Sequence, residues 1–178
     1  MNKIILASKS EVRKKILLEN GIFCNVEPSK VDEDVIKESL LKEGATPEII
    51  SKNLAELKAN KISNKNPDML VLGADSIIDL NGEIISKPKS REEAFDILKK
   101  LCGKSHFLIS SVCISKKGNM IWNYTDKAEL VMKDFNESEL KDYLSKISDK
   151  NLYAYNVYQI EGEGKNLFSE IKGDKNTI

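Results

Sequence analysis

Leu70-Val71-Leu72-Gly73-Ala74-Asp75-Ser76-Ile77-Ile78-Asp79-Leu80-Asn81-Gly82-Glu83-Ile84-Ile85 is the stretch on which the fold turns. Its first five residues form an apolar run fit for a buried strand. Residues 77–80 and 83–85 flank Asn81-Gly82, a pair that supplies the positive φ angles of a tight hairpin. Upstream, Lys3-Ile4-Ile5-Leu6-Ala7 predicts another buried strand. Ser8-Lys9-Ser10 then leads into an amphipathic helix with Val12, Ile16 and Leu17, ending near Asn20-Gly21. Thr46-Pro47-Glu48 opens a helix to about Ile62, with Ile50, Leu54, Leu57 and Lys61 expected on one face. Downstream, Ser90-Arg91-Glu92-Glu93 reads as a capping box opening a helix to Leu101, closed by Gly103. Strand-like runs follow at 107–115, 120–124 and 128–132, the first two joined by a Lys117-Gly118-Asn119 turn. Asn136 to Glu139 opens a helix to about Ile147, and 153–160 and 167–171 read as short strands. Strands and helices alternate first and antiparallel pairs follow, which predicts a mixed α/β fold rather than a purely parallel winding.

A chain of 178 residues fits a single domain, 1–178, with a core large enough to need no staples. Lys plus Arg and Asp plus Glu are 28 each, and the zero net charge argues against a general nucleic-acid coat protein. No apolar run approaches the roughly 20 residues of a membrane span, and the polar opening argues against a signal peptide. A cytoplasmic protein is expected. Cys24, Cys102 and Cys113 form no CxxC pair and His106 is the only histidine, which argues against structural zinc. A Cys–His nucleophile pair is formally open beside the plainer reading of buried thiols packing as small hydrophobes. Only Arg13 and Arg91 are arginine among the basic residues. Each is a candidate for a position that needs a planar, multi-donor fork rather than a point charge.

Asp75 is the sharpest anomaly, a carboxylate inside an apolar run. Such a group must be paired, metal-bound or shifted in pKa, unless it only closes an Asx turn before Ser76. Leu6-Ala7-Ser8-Lys9-Ser10-Glu11-Val12-Arg13 is a strand-to-helix turn that offers hydroxyls, backbone N–H groups and a guanidinium to an anion; Ser10 would serve equally as a plain N-cap. Val31-Asp32-Glu33-Asp34 could hold Mg²⁺ through one or two oxygens, or be a solvated acidic turn. Lys58 on its helix, Lys87 before Pro88, and Glu161-Gly162-Glu163-Gly164 complete the candidates.

In this order and spacing the motifs resemble the Maf family, the septum formation proteins Maf and nucleoside triphosphate pyrophosphatases. The opening LASxSPRRxxLL of that family reads Leu6-Ala-Ser-Lys-Ser-Glu-Val-Arg-Lys-Lys-Ile-Leu17 here. Its VDE element is Val31-Asp32-Glu33, and its LAxxKA helix is Leu54-Ala55-Glu56-Leu57-Lys58-Ala59. GAD[TS] is Gly73-Ala74-Asp75-Ser76, and KP is Lys87-Pro88. Gly103 and His106 follow, then Glu161-Gly162 and Ile171-Lys172-Gly173. The resemblance covers essentially the whole chain.

It implies an inosine-triphosphatase-like α/β fold, an elongated mixed sheet flanked by helices with a cleft between two lobes. It implies homodimers, a divalent cation (Mg²⁺, or Mn²⁺), and cleavage of a non-standard, methylated or pyrimidine nucleoside triphosphate to monophosphate and pyrophosphate. A link to cell-division arrest comes with it, and a nucleotide-binding regulator without turnover is the competing reading. Asp75 matches the family's proton acceptor or metal ligand, and Glu33 a second acid holding metal or water. Ser8, Arg13, Lys58 and Lys87 match triphosphate contacts, and Glu161 a position held by Gln or Glu in different branches. Three departures stand out. Glu11 and Val12 replace the family's Pro and first Arg. The chain stops at Asn176-Thr177-Ile178, before the family's C-terminal helix, so it is either truncated or does without that helix. Tyr155-Asn156-Val157-Tyr158-Gln159 departs from the Ala-Gly-x-Tyr-Gly-Ile-Gln form of the pyrimidine-specific branch, and Glu161 followed by Leu167-Phe168 leans toward the branch that includes 7-methyl-GTP pyrophosphatases.

Overall fold

The structure, a computed structural model, describes residues 4–178. Lys3 of the first expected strand lies outside them. The chain runs β1 (Ile4–Leu6), α1 (Glu11–Glu19), β2 (Cys24–Val26), α2 (Glu33–Lys42), α3 (Pro47–Ser63), β3 (Leu70–Leu80), β4 (Glu83–Ile85), α4 (Arg91–Leu101), β5 (Ser105–Lys116), β6 (Asn119–Met132), α5 (Glu137–Ser145), α6 (Asp149–Tyr155) and β7 (Phe168–Lys172). Strand neighbours follow the order β2-β1-β3-β5-β6-β7, with β4 also on β3. The fold is the expected mixed α/β type. Among the described residues no helix is long and apolar enough to cross a membrane.

The chain divides into two compact units. The first holds the residues up to Ser76 together with Ile109–Asp126. Here β1 runs parallel to β2 on one side and to β3 on the other, with Ile5 opposite Asn25 and Val71. Thr46 caps α3 by accepting from Ile49 N, and Pro47 takes the first turn, as the sequence predicts. The buried face of α3 is the expected one at Ile50 and Leu54 but not at Leu57 and Lys61. Ile50, Leu54, Ala55, Lys58, Ala59 and Ile62 face inward, while Leu57 is 42% exposed and Lys61 also lies outside. The cause is Gly73: a Cβ there would stand 2.2 Å from the Ala55 carbonyl oxygen and 2.7 Å from Ala59 N. Strand and helix backbones meet at a seam of Gly and Ala, so the small residues rather than the large one define the face.

The second unit holds Ile77–Leu108 and Lys127–Ile178. The β3–β4 hairpin closes on Asn81 (φ 52°) and Gly82 (φ 88°), as expected for Asn-Gly. Ser90 caps α4 by accepting from Glu93 N, but the Glu93 carboxylate accepts from Lys89 N rather than completing the box at Ser90. Asn136 and Glu139 do form a full capping box on α5. Arg91 uses its whole fork structurally. Nε donates to Asp149 Oδ1 at 2.7 Å, Nη1 to the Leu144 carbonyl at 2.8 Å, and Nη2 to the Ile147 carbonyl at 2.7 Å. Two expectations fail here. Residues 153–155 belong to α6, capped by Ser148, and 156–160 form an irregular bend and turn rather than a strand; the cap and the helical burial of Leu152 outweigh the tyrosines' strand preference. The runs at 120–124 and 128–132 are one strand, β6.

His106 does not partner a thiol. Its Nε2 lies 2.8 Å from Tyr158 Oη, its ring tilts against Tyr158 and Phe168, and its buried Nδ1 has no partner. Cys102 bonds around Lys133 to Phe135, while burial raises the Cys113 thiol to about 11. Neither cysteine is an activated nucleophile.

Burial holds the His106 pKa down to about 4, below its ordinary 6.5. The unfolded chain therefore binds a proton between those values that the folded chain refuses. Stability is complete above pH 6.5 and is lost as pH falls toward 4, by about 3 kcal/mol at 1.36 kcal/mol per pH unit. Urea unfolding of wild type and His106→Gln at pH 7.5 and 4.5 checks this. The wild type should lose about 2.5 kcal/mol more than the variant between these two pH values, and parallel losses would refute it.

Candidate active site

The candidate site lies wholly in the first unit and is carried by α1, α2, α3 and β3. Asp75 is not at a strand end or in an Asx turn: it sits inside β3, 4% exposed. Side chains alternate along a strand, so Val71, Gly73 and Asp75 share one face of β3. That face meets α3. Ala55, Lys58, Ala59 and Ile62 recur at the spacing of one helix face, which carries the Lys58 ammonium to the carboxylate.

Lys58 Nζ lies 2.7 Å from Asp75 Oδ1 and 2.8 Å from Glu33 Oε1. Lys58 and Asp75 are both buried, so that arm of the bridge is desolvated, while the Glu33 arm keeps one side toward solvent. Lys37 Nζ stands 3.9 Å from Glu33 Oε2. Ser51 Oγ donates to the Asp75 carbonyl at 3.2 Å and fixes the backbone beneath the carboxylate. Asp75 Oδ2 is buried with no hydrogen-bond partner. Buried carboxylate oxygens are ordinarily satisfied, so this one marks a place where a ligand, water or cation belongs.

The acidic run is not one cluster. Asp32 caps α2 by accepting from Val35 N at 3.3 Å, Glu33 turns to Lys58, and Asp34 is exposed. Among the described residues no group of three His, Cys, Asp or Glu side chains could hold a metal ion. A wide, solvent-open recess of about 520 Å³ is lined by Lys30 to Asp34 and exposes one side of Glu33.

Arg13 completes the site's polar edge. Nη1 donates to Ser8 Oγ at 3.2 Å and to the Ala74 carbonyl at 3.0 Å, and Nη2 donates to Ser76 Oγ at 3.2 Å. The guanidinium is thus tied to the residues on either side of Asp75. Ser8 Oγ also accepts from Ser10 N at 3.2 Å, and Ser10 caps α1 by accepting from Arg13 N. Both readings of this turn hold together: the helix is capped and the fork is held against β3. Glu11 is exposed in the first turn of α1, a favourable place for a carboxylate.

The structure thus brings Glu33, Lys58 and Asp75 into direct contact and sets Ser8 and Arg13 against β3 around Asp75. Lys87 and Glu161 belong to the second unit. Lys87 is exposed after β4, and Glu161 is exposed in the turn before the 3-10 helix Glu163–Leu167. Ser51, Ser76 and Lys37 escaped the sequence reading. Ser76 could have been found from its place beside Asp75, but nothing local marks Ser51 or Lys37.

Residues 3–178 match the model of a family described as Maf-like protein. The chain is 71% identical over 178 residues to a Pelagibacter ubique (strain HTCC1062) protein named nucleoside triphosphate pyrophosphatase, spanning 100% of this chain and 91% of that one. It is 37% identical over 176 residues to a Brucella abortus biovar 1 (strain 9-941) protein named 7-methyl-GTP pyrophosphatase, spanning 99% and 88%. Among solved structures, the Staphylococcus aureus Ham1 protein shares 16% identity and a TM-score of 0.45, over 94% of this chain and 91% of its own.

Proposed function

The chain belongs to the Maf-like family, and from that premise we propose that it hydrolyses a nucleoside triphosphate to the monophosphate and pyrophosphate, with Asp75 as the central carboxylate. Relatives spanning nearly its full length carry the name of that activity. The single observation behind Asp75 is its geometry. One oxygen is held by Lys58 and the other is buried, unpartnered and fixed in a rigid strand. Such an oxygen is preorganised to accept a water proton or to bind a cation.

The donor set fits a divalent cation that travels with its substrate. Asp75 Oδ2 supplies an open oxygen and Glu33 a second carboxylate, while no all-protein cage exists among the described residues. Mg²⁺ is commonly held by one or two carboxylates plus substrate phosphates. When bound, Mg²⁺ or Mn²⁺ would neutralise phosphate charge and make its water more acidic. The chain's own residues do the positioning. Asp75 orients the attacking water through Oδ2, and Glu33 holds Lys58 from the opposite side while no substrate is bound. Arg13, with Ser8 and Ser76 around it, offers planar donors to the charge that grows on the pyrophosphate leaving group. Lys87 and Glu161 remain substrate contacts on the family resemblance alone.

We place residues 1–178 in one Maf-like domain, acting as a cytoplasmic homodimer on a non-standard, methylated or pyrimidine nucleotide. Sedimentation tests the dimer. Pyrophosphate release with Mg²⁺ from the standard nucleotides, dTTP, UTP, ITP and 7-methyl-GTP tests the activity and ranks the bases. Binding of a triphosphate with no release from any would favour the regulator instead.

Arg13→Lys keeps the charge but loses the fork. It is expected to raise KM for the triphosphate about tenfold, as one multi-donor contact to an anion is worth some 1.5 kcal/mol or more. Steady-state kinetics with the best substrate of the panel checks it; an unchanged KM would remove Arg13 from the phosphate site.

A further inference from the structure

Lys58 holds the position that a cation between Asp75 and Glu33 would take. Its ammonium lies 2.7 Å from one acid and 2.8 Å from the other. Glu33 faces a second ammonium, Lys37 at 3.9 Å, across its other oxygen. Of the four carboxylate oxygens, Asp75 Oδ2 has no hydrogen-bond partner. The stem of Lys58 is anchored on α3, where Ala55 and Ala59 lie against Gly73 and leave the helix no room to approach or slide.

We propose that Lys58 is a resident counter-ion that shuts the Asp75–Glu33 pair to a bare divalent cation, so that the cation enters only together with a polyphosphate. Two acids face two ammoniums, Lys58 and Lys37, so the pair is already neutralised, and a divalent ion entering beside Lys58 at the buried Asp75 meets a like charge at contact range. A triphosphate changes the balance. Its oxygens offer the ammonium new anionic partners, Lys58 swings onto a phosphate, and both carboxylates become available to the cation that the triphosphate brings. Lys58 is then a positioning residue that sets the order of binding and spares the site from holding metal without substrate. This rests on reading Asp75 and Glu33 as the cation's ligands.

The test is Mn²⁺ binding without nucleotide, measured from the free-ion paramagnetic resonance signal. Wild type, Lys58→Gln and the double variant Lys58→Gln/Asp75→Asn are compared. Gln keeps the length and a donor but removes the charge. Lys58→Gln is expected to bind Mn²⁺ at least about tenfold more tightly than wild type, since a neighbouring like charge is removed at low dielectric. The double variant should lose that gain. Equal affinity in Lys58→Gln and wild type overturns the gate. A gain that survives in the double variant places the ion elsewhere and also overturns it. Wild-type retention of Mn²⁺ with a non-hydrolysable triphosphate, abolished by Asp75→Asn, separates failure of the gate from failure of the ligand reading. Should Lys58→Gln not fold alone, refolding in Mn²⁺ must restore cooperative thermal unfolding; failure to do so counts against the proposal.

Discussion

Asp75→Asn is expected to lose about a thousandfold in the rate of pyrophosphate release and to keep its fold. A positioned proton acceptor contributes roughly a hundred- to ten-thousandfold, and the amide can neither take a proton nor bind a hard cation well. Asparagine has the same shape as aspartate, so β3 and the α3 seam are unchanged. Breaking a buried ion pair often costs several kcal/mol because a charge is stranded. Here Lys58 keeps Glu33 Oε1 at 2.8 Å, so the ammonium is not left alone. The melting temperature should fall by only a few degrees, about 1–2 kcal/mol for a chain of this length. Steady-state rates and thermal unfolding of the same preparation check both halves. A variant within tenfold of wild type would remove Asp75 from the chemistry.

Gly73→Ala should disable the protein without touching any reacting group. The added methyl would meet the Ala55 carbonyl oxygen at 2.2 Å, Ala59 N at 2.7 Å and Ala59 Cβ at 2.9 Å. Two of these are backbone atoms inside a helix, which cannot swing aside as a side-chain tip would. Overpacking costs about 1–3 kcal/mol where side chains can adjust, so about 3 kcal/mol is the expected loss here. The melting temperature would drop by roughly 6–12 °C. Relief requires α3 to move off β3, which draws Lys58 from Asp75, so activity falls further than stability. Urea unfolding and initial rates of Gly73→Ala are the check. A stable, fully active variant would show that the seam does not position Lys58.

These two positions also show what the sequence could and could not disclose. Asp75 was legible because a carboxylate amid Leu, Val and Ile needs a partner, but the partner was not. Glu33, Lys58 and Asp75 come from three elements, and each looked like a separate oddity until β3 and α3 met at Gly73. The hairpin was legible because Asn81-Gly82 has few other uses, and the cap of α3 because Thr-Pro-Glu is a strong start. The buried face of α3 was read correctly at Ile50 and Leu54 and misread at Leu57 and Lys61 for a physical reason. Hydropathy favours Leu57 over Ala55 and Lys58, whereas close backbone approach favours Ala and ion pairing buries Lys. Helix α2 was missed because Asp32, Glu33 and Asp34 look like a solvated run, although Asp32 is a helix cap. The family resemblance connected the motifs that periodicity left apart, and the match over residues 3–178 bears it out.

The measurement that tests the central claim most directly is the identity of the products. Wild-type protein with Mg²⁺ and its best triphosphate is run to partial turnover beside Asp75→Asn, and nucleotides and phosphates are separated. Equal amounts of monophosphate and pyrophosphate, without diphosphate and nearly absent in the variant, are the predicted result. Diphosphate with orthophosphate, or equal product from both proteins, would contradict it.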